Sequence, residues 1–250
     1  MSRRFTGPAL AATIIAAWLT AHIVGVFFYP LRGLGLAAAP LLVAVICWLN
    51  VGLFIVAHDA MHGSLLPQAG RTNLWFGRVA LALYAGFSFD RLKAAHMEHH
   101  RAPGSADDPD FSPDYPRHLW RWYGAFMRRY FGLREFLILS AIVAAYLLVG
   151  ASYPNLLLFW AAPALLSSLQ LFYFGTFLPH RRGDEIFVDA HNARSNQYSW
   201  LMSLLTCFHF GYHHEHHLAP HVPWWGLPSE RKRRAPARSG LPPAQPRPQP

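Results

Sequence analysis

Four long apolar runs alternate with polar stretches along this chain. Residues 9–28, 34–57, 136–152 and 154–178 form runs of 20, 24, 17 and 25 residues, none containing Lys, Arg, Asp or Glu. About 20 apolar residues cross the roughly 30 Å of a bilayer's hydrocarbon as a helix, so the pattern predicts four transmembrane helices. A fifth run, 74–89, is only 16 residues long and carries Arg78; it is expected to lie at the interface or to dip in and out. Residues 119–132, LWRWYGAFMRRYFG, interleave aromatic rings with arginine, as an interfacial amphipathic helix does. The fold class is an all-α integral membrane protein, four transmembrane helices with a cytosolic cap. One membrane domain is expected over 1–228. Over 229–250 a basic run and proline-rich sequence lack hydrophobic periodicity, which predicts a disordered tail. No internal repeat points to a solenoid or a duplicated transporter.

Composition supports this picture, with 53% apolar and 14% charged residues. The basic residues then give an orientation, because short cytoplasmic loops collect Lys and Arg. With the N-terminus inside, 21 of the 22 basic residues fall on the cytoplasmic side and Arg32 alone lies outside. The net charge of +9 reads as an orientation signal and an attraction to anionic headgroups, not as a nucleic-acid surface. The expected location is the inner (plasma) membrane, with several passes and both termini cytoplasmic. The first apolar run is too long for a typical signal-peptide core and is expected to stay as a helix. Two cysteines, Cys47 and Cys207, imply no disulfide framework.

The chemistry lies in histidine. His58-Asp-Ala-Met-His62, His96-Met-Glu-His99-His100 and His213-His214-Glu-His216-His217 place eight imidazoles at helical spacing. Residues three and four apart share a helix face, so His58 with His62, and His96 with His99 and His100, are expected to aim at one point. A single HxxxH is commonly incidental; two HxxHH boxes and one HxxxH in 250 residues are a pattern that chance rarely produces. Imidazole suits iron, zinc, copper or nickel. A structural zinc needs only four ligands, so eight suit two ions with open positions for oxygen. The same topology brings all three boxes to the cytoplasmic side.

Other polar residues near the boxes leave alternatives open. Asp59, Glu98 and Glu215 sit inside them and Asp107, Asp108 and Asp110 follow the second; metal-bound imidazoles commonly donate their other N–H to a carboxylate or carbonyl. His214 in place of His213 is an alternative register, and His209, four before His213, shares its face as a possible supporting group. His22 is expected to pack inside the first span, His118 to face solvent, and His221 to lie outside ligand spacing. Phe87, Phe89, Trp224 and Trp225 are candidates to line a hydrocarbon tunnel, although aromatic residues near such boxes more often pack or anchor at headgroups.

The three boxes, together with FGTFLPHR (174–181), HNARS (191–195) and FHFGYHHEHHLAPHVPWWGLP (208–228), resemble the membrane fatty acid desaturase and hydroxylase superfamily. Within it they look most like the bacterial β-carotene ketolases, over about 58–228. The resemblance implies a non-haem di-iron oxygenase that uses O2 and electrons to oxidise C4 of a β-ionone ring to a ketone. That converts β-carotene to echinenone and canthaxanthin in carotenoid biosynthesis; zeaxanthin to astaxanthin stays open. Carried over by position, the ligands to two iron ions are His58, His62, His96, His99, His100, His213, His216 and His217. A ninth is expected from His180, with His191 as runner-up; no catalytic residue beyond the metal ligands is implied. The substrate would be a carotenoid dissolved in the bilayer. No dinucleotide, haem or flavin signature is present, since Gly33-Leu-Gly35 lacks the rest of such a motif, so a separate donor such as reduced ferredoxin is implied. A desaturase or hydroxylase of lipid acyl chains would share these ligands and differ in its tunnel. A membrane metal carrier would instead spread histidines along the spans.

Overall fold

A computed structural model describes residues 3–183 and 186–234, and among these every regular element is helical. Helix α1 (Arg3–Ile23) runs on through a π-helical turn, Val24–Phe28, and α2 (Leu34–His62) returns beside it. Then come α3 (Gly70–Ala85), α4 (Phe89–Arg101), α5 (Leu119–Tyr130) and α6 (Leu133–Leu148). The long α7 (Tyr153–His180) contains two further π-helical turns, Leu157–Ala161 and Tyr173–Phe177. Three short helices finish the fold: α8 (Trp200–Cys207), α9 (His213–Leu218) and α10 (Leu227–Arg234).

Three helices are long and apolar enough to cross a bilayer: Phe5–Phe28, Leu34–His62 and Tyr153–His180. They match the first, second and fourth apolar runs. The third run differs from its expectation of a straight span over 136–152. Helix α6 has 16 residues, about 24 Å at the helical rise, and meets α5 at an 81° bend. The break falls at Gly132, whose extended backbone leads into α6 and whose N–H donates to Glu135 Oε2 at 3.1 Å. A fourth crossing therefore exists only if the bent pair counts as one broken span. The amphipathic stretch 119–132 forms α5, while the run 74–89 forms most of α3, which packs along α2.

Sparse polar contacts pin the apolar helices to one another, as expected where water does not compete. Trp18 Nε1 donates to Asn50 Oδ1 at 2.6 Å, joining α1 to α2, and His22 Nε2 lies 3.0 Å from the Tyr146 hydroxyl on α6 while stacking on Trp18. At the opposite end Asn155 Nδ2 reaches the carbonyls of Gly25 and Tyr29. Helix α2 stops at Gly63, whose left-handed φ of 71° suits the residue that closes a helix. Its end is held to α3 by Asn73, which donates to the Ala60 carbonyl at 2.7 Å and accepts from Leu66 N–H at 3.1 Å.

The disorder expected from residue 229 does not hold for 229–234. Residues Leu227–Arg234 are helical because Glu230 accepts from Arg233 and Arg234, three and four positions on, the pairing that stabilises a helix face. Residues 235–250 of that expected tail lie outside the described residues.

The N-terminal end of α1 runs against the loop after α2. A Cβ at Gly7 would stand 2.0 Å from the Leu65 carbonyl oxygen, whereas one at Gly124 meets only the Arg128 side chain at 3.9 Å. Overpacking costs about 1–3 kcal/mol, so Gly7→Val is expected to lower the thermal midpoint in detergent by several degrees. Gly124→Ala should leave it unchanged or raise it.

Candidate metal centre

Helix ends build the centre. The last turns of α2 and α7, with the short helices α4 and α9, bring nine imidazoles together in two adjoining groups. The first comprises His58, His62, His96, His100 and His216, and the second His99, His180, His213 and His217. Within each group the candidate ligand atoms all lie within 4.8 Å of one another. The groups touch, since His100 of one stacks on His217 of the other with centroids 4.3 Å apart.

The contacts run through Nε2. His62 and His96 approach to 2.7 Å, His100 and His216 to 2.9 Å, and His58 and His216 to 3.2 Å. In the second group His180 and His213 stand 2.9 Å apart, His213 and His217 3.0 Å, and His99 and His217 3.2 Å. Imidazole nitrogens about 2.0–2.1 Å from one ion, at right angles to each other, would be about 3 Å apart. A pair of neutral imidazoles can share only one proton between such atoms. Four or five converging nitrogens therefore leave several lone pairs aimed at one point, and the donor set fits a metal ion in each group.

Electrostatics agree with this fit. Burial, reinforced by mutual repulsion of any added protons, holds His96, His213, His216 and His217 well below the usual imidazole range and His100 down at about 2. Neutral imidazoles keep the lone pair that a metal needs. His99 differs: burial opposes its charge, but the hydrogen bond to Asp108 and the charges of Asp110 and Asp108 raise its pKa. Asp108 meets His99 Nδ1 through both oxygens, at 2.9 and 3.0 Å, and also accepts from the Gly104 and Asp110 amides. The Asn192 carbonyl meets His180 Nδ1 at 2.8 Å. Because a carbonyl only accepts, it places the proton on Nδ1 and leaves Nε2 free to face inward.

Several expectations are refined by this geometry. The second box does not aim at one point: His96 and His100, four apart, join the first group, and His99 turns into the second. At 3.6 residues per turn the i,i+4 pair lies about 40° apart, whereas the residue between is turned about 60° from one and about 100° from the other, enough to reach the neighbouring group. The third box divides likewise, with His213 and His217 in one group and His216 in the other. His180 lies in the second group, while His191 sits outside it with Nδ1 3.1 Å from Asp189. His214 turns outward to the same Asp189 at 2.8 Å.

His209 does not share a helix face with His213. Helix α9 begins at His213, and Phe208 and His209 have positive φ, so His209 turns away to pack against Trp200, Tyr212 and Trp224. Of the carboxylates weighed, Asp59 accepts from the Trp224 amide at 3.0 Å and lies 3.4 Å from His58 Nδ1. Glu215 binds Ser195 and Arg231, and Glu98 and Asp107 are exposed. His118 is exposed as expected. The Asn192 carbonyl and the outer carboxylate Asp189 were not foreseen as supports; the only sequence hint was the string HNARS beside them.

An aromatic cavity opens onto both groups. His58 and His96 of the first and His99 and His213 of the second line it, with Phe54, Phe87, Phe126, Phe172 and Phe210 around them. Phe87 lines this cavity and also packs against the core, whereas Phe89 and Trp224 belong to the core with Trp225 against it. The free volume is about 110 Å³, below the roughly 300–1,000 Å³ of a ligand pocket. Met61 and Met127, side chains that adapt their shape readily, are both in the lining.

A helical membrane protein whose box histidines close into two metal-ready groups is the class that fold and site define. The fatty acid desaturase family model matches residues 34–140 and 133–245, and the chain belongs to this family. It is 53% identical over 229 residues to a β-carotene ketolase of Paracoccus sp. (strain PC1), covering 89% of this chain and 91% of that protein. A β-carotene ketolase of Paracoccus sp. (strain N81106 / MBIC 01143) is 50% identical over 231 residues, 90% of this chain and 92% of its own length. A zeaxanthin 4-ketolase of Chlamydomonas reinhardtii is 38% identical over 237 residues, 90% of this chain and 53% of the longer algal protein.

If each group holds one ion, elemental analysis of the purified protein should find two metal ions per chain. His62→Ala and His217→Ala, each removing a donor from a different group, should lower that content toward one, and His118→Ala should not. Asp108→Asn is expected to weaken metal affinity by about 10–100-fold. Full occupancy in His217→Ala would remove that histidine from the ligand set.

Proposed function

We propose that this protein is a β-carotene ketolase, an oxidoreductase that converts the C4 methylene of a β-ionone ring to a ketone. The observation that carries the reading is a cavity of aromatic side chains whose polar floor is formed by histidines of both groups. Such a space suits a hydrocarbon ring brought to a metal centre. The high identity to named ketolases over almost the whole chain supports that substrate over a lipid acyl chain.

Nine ligands are proposed for two non-haem iron ions: His58, His62, His96, His100 and His216 for one, and His99, His180, His213 and His217 for the other. When bound, the metals supply what no side-chain acid or base has, the capacity to oxidise an unactivated C–H bond with O2. Each hydroxylation consumes one O2, two electrons and two protons, inserts one oxygen atom into a C–H bond and releases the other as water. Two rounds at one carbon give a geminal diol, which loses water to leave the ketone. The protein's residues orient and shield: Phe54, Phe87, Phe126, Phe172 and Phe210 hold the ring and exclude water, and Asp108 and the Asn192 carbonyl fix the imidazoles of His99 and His180.

The electrons come from an external donor such as a reduced ferredoxin. The apolar helices and the family mark a membrane protein; its proposed place is the inner membrane, with the histidine end cytoplasmic. The distribution of basic residues supports that orientation. A substrate dissolved in the bilayer then reaches the centre without passing through water.

Expression in cells that accumulate β-carotene tests the function. Pigment analysis by chromatography with mass detection should show ketones that replace ring CH2 by C=O, with red-shifted absorption. His99→Ala should abolish them, by at least about a hundredfold on the scale set by losing a group on which turnover depends, and His118→Ala should retain them. Unaltered carotene with new double bonds or hydroxyls in the fatty acids would instead identify an acyl-chain desaturase or hydroxylase.

A further inference from the structure

We propose that Asp110 and Tyr130 form a binding site for a hydroxyl group on the substrate's ring; the inference rests on the ketolase reading above. Most of the cavity lining is apolar, and an unoxidised carotene ring carries nothing that can bind a carboxylate. Burying a polar group beside such a ring is unfavourable unless it finds a hydrogen-bond partner. Asp110 and Tyr130 nevertheless both line the cavity, as His99 does. The Asp110 carboxylate belongs to the same cluster of atoms, all within 4.8 Å, as His99 and Asp108.

The main chain of Asp110 already does the structural work at this position. Its N–H donates to Asp108 Oδ1 at 2.8 Å and its carbonyl accepts from Trp122 Nε1 at 2.8 Å. The side chain accepts from the Tyr130 hydroxyl through Oδ1 alone, and Oδ2 takes no hydrogen bond among the described residues. Two other hydroxyls of the lining are engaged elsewhere in the protein: Tyr84 accepts from Ser167, and Ser168 pairs with Tyr123 at 2.6 Å. Asp110, with Oδ2 unengaged, and Tyr130 thus bring acceptor oxygens to the lining of a mostly apolar space beside the histidine groups. An alcohol there donates its proton to one of them; an unsubstituted methylene has none to give.

Two sources supply such an alcohol. One is the 4-hydroxyl left by the first oxidation, which must stay in place for the second. The other is a 3-hydroxyl already present on the neighbouring ring carbon. In either case these are specificity residues that touch the substrate, and Tyr130 also orients the carboxylate.

The test compares the full-length wild type with Asp110→Asn and Tyr130→Phe in carotenoid-loaded membranes, supplied with β-carotene alone and then with equal β-carotene and its 3-hydroxylated derivative. Wild-type protein is diluted to match each variant's total conversion, so that the product ratio reports retention and not enzyme amount. If the 4-hydroxyl is held, the ratio of 4-hydroxy to 4-keto product from β-carotene rises in Asp110→Asn by about tenfold, the scale of a lost hydrogen bond to a charged group. Tyr130→Phe shifts it in the same direction by less. If the 3-hydroxyl is held, the preference for the hydroxylated substrate falls by a similar factor. Variants that make ketone with both quantities unchanged overturn the proposal, as does loss of both oxidation steps together at wild-type protein levels. Should Asp110→Asn fail to accumulate, Tyr130→Phe, which keeps the ring, decides. Absence of ketone from the wild type overturns the ketolase reading and the proposal with it; unchanged ratios in working variants overturn the proposal alone.

Discussion

Nine imidazole nitrogens turned toward one another in a buried space are the constraint around which this fold is arranged. Without a cation their lone pairs face lone pairs, and an unsatisfied buried polar atom costs about 1–3 kcal/mol. Metal binding is of the right size to reverse that balance, since apparent free energies for structural zinc reach about 10–16 kcal/mol. The scaffold reflects the demand. His58 and His62 close α2 and His180 closes α7, so two long apolar helices deliver ligands from their ends, where the chain leaves the apolar region. The rest come from α4 and α9, whose histidines draw on outside anchors. Asp108 provides one for His99, while Ser195 and Arg231 hold the outward face of α9 through Glu215.

The cavity follows from the same arrangement. Because the ligands approach from helix ends, the space before them is enclosed by the sides of α2, α4, α5 and α7, which are apolar for reasons of packing. Phe172 belongs both to the cavity lining and to the cluster it forms with Phe111, Trp122 and Phe177. Substrate space and core are therefore one continuous surface, and polar atoms within it stand out chemically. This is why Asp110 carries meaning that Glu98 and Asp107, exposed on the same stretch of chain, do not.

Much of this was legible in the amino-acid order, and the limits have physical causes. The four-residue spacing of His58 with His62, His96 with His100 and His213 with His217 identifies pairs that share a group, because side chains four apart overlie one another. The same rotation that pairs them sends the intervening His99 and His216 to the opposite group, and a reading by box alone merges what the helix separates. His209 was misplaced because four-residue spacing has meaning only inside a helix. The chain turns through positive φ at Phe208 and His209 before α9 begins. The bend at Gly132 was hidden for a different reason: hydropathy records how apolar a stretch is, not the direction in which it runs. Glu230, four residues before Arg234, carried the signal for α10, and the low hydrophobicity of its neighbours masked it.

Helix α7 shows how far composition can be from position. An 18-residue window of its 28 residues has a mean hydropathy of 1.6, and so apolar a run does not by itself say which face looks inward. Two π-helical turns decide it, Leu157–Ala161 and Tyr173–Phe177. Each widens the backbone locally and resets the angular phase of every residue that follows. The second turn ends two residues before Pro179 and three before His180, so it sets the direction from which His180 enters the second group. It also contains Gly175 and Thr176, both part of the cavity lining, and a Cβ at Gly175 would press to 3.1 Å from the Phe210 ring. One local departure from α-helical geometry thus orients a candidate ligand and shapes the wall beside it. Restoring regular α-helix there would rotate His180 away from His213, although no residue of the histidine boxes had changed.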